Sequence, residues 1–442
     1  MGIFKTTISG IQKNSNNKSH TVLKYLIALI LITLPLKNIL VSMATISLVV
    51  ASLFLKKRQG FNFKRTFLIP VLFFGIMTLS LLWTKDFHSS WSGLQKDLSF
   101  LIFPLIFFII PKVSKESQNN IFRIYSFGMV CYAAFYIIKA SIDFVNLNNF
   151  TVFFNNNLVP IDPGAIYMSV FASLALFYFV QLEHKKNSEK GALAILTLFI
   201  FLLSSKSIIT VDFIIIVWFY AFYAKIPKET KALTILAVSS FLFFSIFFVK
   251  EVKDRFLVEY ETAFVDNISH GKQNKQPEKT HTISIKEAWT TNTFQQTDFF
   301  PGTALRVYQA RIFKEMLQEE PLFLKGYGIE ASQYKIREKA KQHNLFYEYG
   351  EYNFHNQYLQ SFAELGIAGF LLLAIMLFTN LYNGLTKKDF LHIAFAITMI
   401  MLFLSESFFC RQRGIVFFIV LYCLFNSSTK KETNLSNQKQ MI

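Results

Sequence analysis

The chain alternates long apolar runs with short, basic, polar joints. The runs have lengths near the ~17–25 residues that a helix needs to cross hydrocarbon. They predict helices at 22–36, 39–55, 66–84, 98–111, 121–145, 163–182, 191–205, 208–224, 232–249, 358–382, 391–408 and 412–426. The pairs within 22–55 and 191–224 are each expected as two spans joined by a tight turn at the outer face. One long polar stretch, 250–357, precedes the tenth run. Its first half, through Ser269-His270-Gly271-Lys272-Gln273-Asn274-Lys275, is polar and expected to be mobile. Its second half is patterned. A helix is predicted over 304–319, ended by Pro321, followed by turn residues Gly326 and Gly328 and a further helix from 330 to 343. The expected fold is all-α. It is a single polytopic membrane domain over 1–442, with about twelve transmembrane helices and one large extracytoplasmic loop before the tenth.

Residues 1–21 are polar, carry Lys5, Lys13 and Lys18, and lead into an apolar run. That resembles a signal peptide. A second run follows directly and no small-residue cleavage site stands out, so an uncleaved first span is expected.

Composition and charge sharpen this picture. Of 442 residues, 52% are hydrophobic and 52 are Phe, a balance suited to a lipid-facing surface. The formal charge of +17 sits mainly in the joints. With the N-terminus inside, the inner joints hold Lys56-Lys57-Arg58 with Lys64-Arg65, Lys112 and Lys115, Lys185-Lys186, Lys225, Lys228 and Lys231, Lys387-Lys388, and Lys430-Lys431. The outer joint 146–160 has no Lys or Arg. This is the positive-inside pattern, and it expects both termini in the cytoplasm and 250–357 outside. The positive charge therefore reads as membrane orientation, with lipids as partners and no nucleic acid. Cys131, Cys410 and Cys423 lie in or beside apolar runs without ligand spacing and read as small buried hydrophobes.

Candidate chemistry gathers at the end of the loop. On the 304–319 helix, Leu305, Tyr308, Ile312, Phe313, Met316 and Leu317 share a face, and Arg306 falls inside it. Arg311, Lys314 and Gln318 fall opposite. A charge aimed along with an apolar face needs a partner or an ionic ligand. The competing reading is a snorkelling arginine or an ordinary ion pair. His355 aligns with Leu359, Phe362, Gly366 and Gly369, which places it at the mouth of a close-packed seam, with Asn356 beside it. A His that merely caps the helix is the plainer alternative. Other outward cations are Lys206 at a tight turn, Arg411 and Arg413 before the last span, and Lys96 at the start of the fourth. Glu406, near the outer end of the eleventh span, and Asp212, within the eighth, are ionisable groups in apolar runs. For these, snorkelling or local pairing, such as Glu406 with Arg411, is equally open. No Walker loop, HExxH or paired Cys is present, and acids such as Asp254, Asp266 and Asp298 form no compact motif. Neither metal nor cofactor is expected.

These features resemble the O-antigen ligase and polymerase family of bacterial polysaccharide enzymes. His355-Asn356, nine residues, then Gly366-Ile367-Ala368-Gly369 is similar to the family's ligase signature. Arg306 followed by Glu320-Pro321-Leu322 and Gly326-Tyr327-Gly328 is similar to its arginine helix and turn. Ser205-Lys206 stands where the family often has Ser-Arg, and lysine lacks the bidentate fork. Trp83 and Lys96 look like the family's aromatic-rich third span and following basic residue.

The resemblance implies transfer of a glycan from an undecaprenyl-pyrophosphate carrier to an acceptor sugar hydroxyl at the outer face of the bacterial inner membrane, facing the periplasm. The acceptor is the lipid A core in a ligase and another carrier-linked repeat in a polymerase. In this reading His355 is the base and Arg306 binds the leaving pyrophosphate, with Lys206, Arg411, Arg413, Lys96 and Asn356 as further substrate-binding residues. The main expectation is a ligase. A polymerase and a protein O-oligosaccharyltransferase stay open within the class. A transporter of lipid-linked sugars or a membrane scaffold stays open outside it, though no repeated halves are visible.

Overall fold

The computed structural model describes residues 21–54, 64–160, 163–248, 257, 268–270 and 280–427. Each of the twelve apolar runs contains a helix. In chain order these helices are α1 (Thr21–Thr33), α2 (Asn38–Phe54), α3 (Arg65–Ser80), α4 (Phe87–Lys96) and α5 (Ser99–Ile109). Then follow α6 (Lys115–Leu147), α7 (Ala165–Val180), α8 (Asn187–Leu203), α9 (Lys206–Trp218) and α10 (Lys228–Phe248). The loop holds α11 (Ile285–Thr290), α12 (Gly302–Glu319), α13 (Leu322–Lys325) and α14 (Ser332–Gln342), and the chain closes with α15 (Gln357–Lys387), α16 (Phe390–Leu402) and α17 (Gln412–Ser427). Among the described residues, four stretches are long and apolar enough to cross a membrane: Phe87–Ile109, Lys115–Leu147, Lys206–Tyr223 and Gln357–Lys387.

The described residues are mostly helical, in keeping with the all-α expectation, with one short strand pair beside the helices. β1 (Ile268–His270) pairs antiparallel with β2 (Thr280–Thr282). The strands are too short to carry a hydrophobic period, which is why the pattern missed them. Gly271 through Lys275, Asp254 and Asp266 lie outside the described residues.

α7, α16 and α17 are buried on almost every side, as helices that are apolar all round must be. Around them α2, α6 and α15 expose apolar stripes, such as Ile39, Met43 and Ile46, Phe135, Ile138 and Ile142, and Leu371, Ile375 and Phe378. The i, i+3, i+4 spacing makes each stripe one continuous face, the surface that lipid contact requires. Cys131 belongs to that surface and is exposed, a correction to its expected burial.

Polar residues within the bundle pair with one another. His392 Nε2 lies 2.7 Å from Asn380 Oδ1, which also accepts Asn426 Nδ2 at 3.2 Å. This stitches α15, α16 and α17 together near one end. At that end Lys64 Nζ donates to the carbonyls of Asn426 (2.7 Å) and Ser427 (2.8 Å), and Lys387 Nζ to that of Phe425 (3.0 Å). Lys115 pairs with Asp389. The last carbonyls of α17 lack intrahelical partners, and a lysine there also complements the helix dipole. Lysines from three inner joints thus meet at one end of the bundle. Lys56-Lys57-Arg58, Lys430-Lys431 and the N-terminal lysines lie outside the described residues.

The loop sits at the opposite end with its own core, in which Phe294, Phe300, Tyr308, Ile312 and Met316 are buried together. Its arginine helix α12 stops at Glu319, because Pro321 disfavours helical backbone in the residue before it.

Candidate functional site

Two glycines join loop to bundle. Gly366 interrupts α15 with φ +66° and ψ −163°, so the helix is two segments meeting at a kink. Gly326, in the turn after α13, has φ +65°. A Cβ on Gly366 would run into the backbone of Leu324, and one on Gly326 into the backbone of Glu364. Each glycine makes room for the other's chain. The kink also leaves two carbonyls without helical partners. Ala363 O accepts Tyr327 N at 2.8 Å and Glu364 O accepts Gly328 N at 2.9 Å. The expectation of a glycine seam against another span is therefore corrected. The close neighbour is the loop turn itself.

His355 precedes the helix and does not share its face. Asn356 is the N-cap, its Oδ1 accepting from Tyr358 N (3.0 Å) and Leu359 N (3.1 Å). His355 stands in the left-handed region at φ +44°, held there by Asn353 Oδ1, which accepts its N–H at 2.9 Å. A non-glycine residue in that region costs about 1–2 kcal/mol, and such strain collects at functional sites.

The segment between α16 and α17 crosses this turn. Gln357 N donates to Phe403 O (2.8 Å), Asn356 Nδ2 to Leu404 O (3.2 Å) and Asn356 N to Ser407 Oγ (3.1 Å). That crossing brings Glu406 Oε2 to 3.6 Å from His355 Nδ1. Both atoms are buried, and among the described residues neither has a hydrogen-bond partner. The same segment receives Arg306, whose Nε donates to Ser405 O at 2.9 Å while Nη1 donates to Gly302 O at 3.0 Å. Arg306, His355 and Glu406, far apart in sequence, thus converge on residues 403–407. Glu406 lies beyond the end of α16 rather than inside a span. Its signal in the sequence was an acid at the outer end of an apolar run.

Lys96 is the last residue of α4 rather than the first of a span. Its ammonium pairs with Glu330 and donates to Cys410 O at 3.3 Å. Glu330 is itself left-handed, at φ +56°. Gly93 on α4 lets it approach, since a Cβ there would overlap the Glu330 side chain. Ser90 Oγ donates to Ile329 O at 2.5 Å and Lys85 N to Tyr327 O at 3.1 Å. Residues 325–330 are therefore clamped between α4 and the kink of α15. A small cleft opens beside them, lined by Asp97, Glu330, Gln357, Gln360, Glu364 and Cys410. Among the described residues no group of three or more His, Cys, Asp or Glu is arranged to hold a metal ion.

The remaining cations are placed as follows. Lys206 opens α9 after the left-handed Ser204, φ +53°. The ring of Phe219, just past α9, lies 4.4 Å from Phe390 at the start of α16. The two helices therefore run antiparallel, and Lys206 shares the end that carries residues 403–407. Arg411 lies over the Tyr167 ring at 5.7 Å, and Tyr167 stacks on Phe408 at 4.7 Å. Arg413 is only 4% exposed within α17, a correction to its expected place in an outer turn. Asn356 serves as cap and stitch, with its amide engaged at both ends.

Arg311 is another correction. It was expected on the face opposite the core, yet it is buried, donating to Thr291 O, to Asn292 Oδ1 (3.1 Å) and to Glu315 (2.9 Å). Residues 291–292 wrap over that face and supply carbonyl oxygens that no wheel of α12 alone contains. Beside it Lys339, 2% exposed, lies 3.2 Å from Glu315, and His343 Nε2 lies 3.4 Å from the same carboxylate. Tyr308 Oη meets His343 Nδ1 at 3.0 Å. Burial holds His343 below the usual imidazole value against the pull of Glu315. Burial alone pushes Glu315 up, but His343, Lys339 and Arg311 together hold it below the usual carboxylate value.

Residues 191–374 match the family model described as O-antigen ligase. Over those residues the chain is similar to the O-antigen ligase family. No curated protein matches it.

Proposed function

We propose that this chain transfers a glycan from an undecaprenyl-pyrophosphate carrier to an acceptor sugar hydroxyl, with the lipid A core as acceptor in a ligase reaction. The supporting observation is the convergence of Arg306, His355 and Glu406 on residues 403–407, at the end opposite the clustered lysines. With those lysines cytoplasmic, the site faces the periplasm.

Glu406 facing Nδ1 favours the tautomer with its proton there and leaves Nε2 as the base. Nε2 takes the acceptor hydroxyl proton as its oxygen attacks the anomeric carbon. The bond from that carbon to the pyrophosphate oxygen breaks, and the electron pair leaves with the pyrophosphate. Arg306 meets the growing charge. Two of its five N–H groups are already fixed by carbonyls, so the guanidinium is oriented before the anion arrives. Lys206 and Arg411 complete the anion field in this scheme. A single displacement inverts the anomeric centre, and a product with retained configuration would contradict it.

Deleting the gene and sizing the carrier-linked glycans tests the reading. Long carrier-linked chains with bare acceptor are the expected result. Accumulation of single repeats would assign a polymerase instead. An unchanged carrier pool with normal surface glycan would overturn the proposal.

A further inference from the structure

The turn α13 has an unusual surface for an aqueous loop. Phe323 is 57% exposed and Leu324 70%. Its neighbours repeat the character. Leu82, Phe87 and Trp91 are also exposed, with Phe87 and Trp91 stacked at 6.4 Å on the outer face of α4. Trp83 ties the two groups together, its Nε1 donating to Lys325 O at 3.0 Å while the Lys325 ammonium lies 5.8 Å from its ring centre.

Depth along α15 locates this surface. The helix ends at Lys387, in the lysine cluster, and Leu324 touches it at Gly366. From Ile367 to Lys387 the helix rises roughly 31 Å at ~1.5 Å per residue. That matches the ~30 Å hydrocarbon core of a bilayer. Gly366 therefore falls at the outer hydrocarbon boundary, and α13 falls with it. Leu82 continues the exposed apolar row of Leu72 and Leu79 on α3, so the patch joins the lipid-facing wall of the bundle. Apolar residues rimmed by tryptophan and lysine are the composition favoured at that level.

We infer that α13 is an interfacial foot: Phe323 and Leu324 insert into the outer leaflet beside α4, and Lys325 reaches the lipid phosphates. The inference rests on the membrane reading of the bundle. The foot also connects to the site. Phe323 packs on Phe362 (5.7 Å), Phe362 on Phe313 of the arginine helix (5.5 Å), and Phe313 on Phe354 (5.8 Å), which precedes His355. Lipid contact at the foot thus sets the height of Arg306 and His355 above the membrane.

The test uses the full chain in vesicles of phosphatidylethanolamine and phosphatidylglycerol. Its three cysteines are replaced by alanine, and spin labels are attached at Phe323→Cys or Leu324→Cys. Phe378→Cys on the apolar stripe of α15 and Tyr347→Cys in the loop serve as lipid and aqueous references; both native residues are exposed. The expected result is an oxygen-to-nickel-chelate accessibility ratio at 323 and 324 that approaches that of 378. A ratio like that of 347 overturns the inference. Labels shielded from both reagents also overturn it, since protein, such as a second copy, would then cover the foot. An aqueous ratio at 378 would instead remove the membrane reading beneath it. The Leu324 variant keeps the test informative if loss of the Phe323 ring disturbs folding.

Discussion

Glu406 Oε2 stands 3.6 Å from His355 Nδ1, although 50 residues and two complete helices, α15 and α16, lie between the two in sequence. In the proposed reaction this carboxylate favours the tautomer with its proton on Nδ1 and leaves Nε2 as the base. His355→Ala should lower glycan transfer by about 10²–10⁴ while membrane levels hold, the usual worth of a general base. Glu406→Gln should cause a smaller loss, partly restored in Glu406→Asp. Transfer assayed on carrier-linked glycan checks both. Wild-type rates in either the Ala or the Gln variant would separate the dyad from the chemistry.

Arg306 is gripped through Nε and Nη1, a geometry that a lysine cannot copy. Arg306→Lys should therefore keep the charge and still lose about 10²–10³ in rate, the range seen when one oriented donor to a developing anion is removed. The loss should fall on kcat more than on KM. A lysine variant with unchanged kcat would show that charge alone suffices there.

Gly326 and Gly366 face each other across the loop–bundle joint with φ values of +65° and +66°. Alanine at either position meets backbone as well as the left-handed penalty of about 1–3 kcal/mol. Both variants should lower the midpoint of thermal unfolding in detergent. Gly75→Ala, where a Cβ meets nothing within 4 Å in the middle of α3, should leave it level or raise it. Equal midpoints for all three would remove the joint from the account.

The Glu315–His343 pair gives the loop a pH response whose sign can be worked out. His343 is held below the ordinary imidazole value of 6.5 by burial, so the unfolded chain binds more protons and stability falls as pH drops through 6.5. Glu315 is also depressed, below the ordinary carboxylate value of 4.5, and its contribution is lost at lower pH still. Both losses have the same sign. Hydrogen exchange of α12 and α14 should rise on acidification from pH 7, once corrected for intrinsic rates. In His343→Gln the first step, near pH 6.5, should disappear. An unchanged pH profile in that variant would assign the response to other groups.

Much of this was legible from pattern. Every apolar run became a helix because bundle interior and lipid face both demand apolar side chains at helical spacing. The tight turn at 204–205 was readable too, with Ser204 left-handed between two helices. Arg306 and His355 stood out because polar groups at the edge of apolar faces need a reason. Arg311 was misplaced because its partners come from residues 291–292, outside its own helix. Lys96 was misplaced because Phe87–Lys96, with its polar buried face of Ser90 and Gly93, reads as a loop by hydropathy alone. His355 lost its assigned face because one left-handed residue before the cap resets the angle between turn and helix.

The kink in α15 has a consequence for how such an enzyme can vary. At Ala363 and Glu364 the helix surrenders two backbone carbonyls, and the loop takes both. The landing point of the loop is therefore written into main-chain geometry, which side-chain replacement leaves alone. In the proposed reaction, residues facing the sugars can change from one polysaccharide to another while His355 and Arg306 keep their stations. Under that proposal, specificity can drift while the reaction centre stays registered to the joint between loop and bundle.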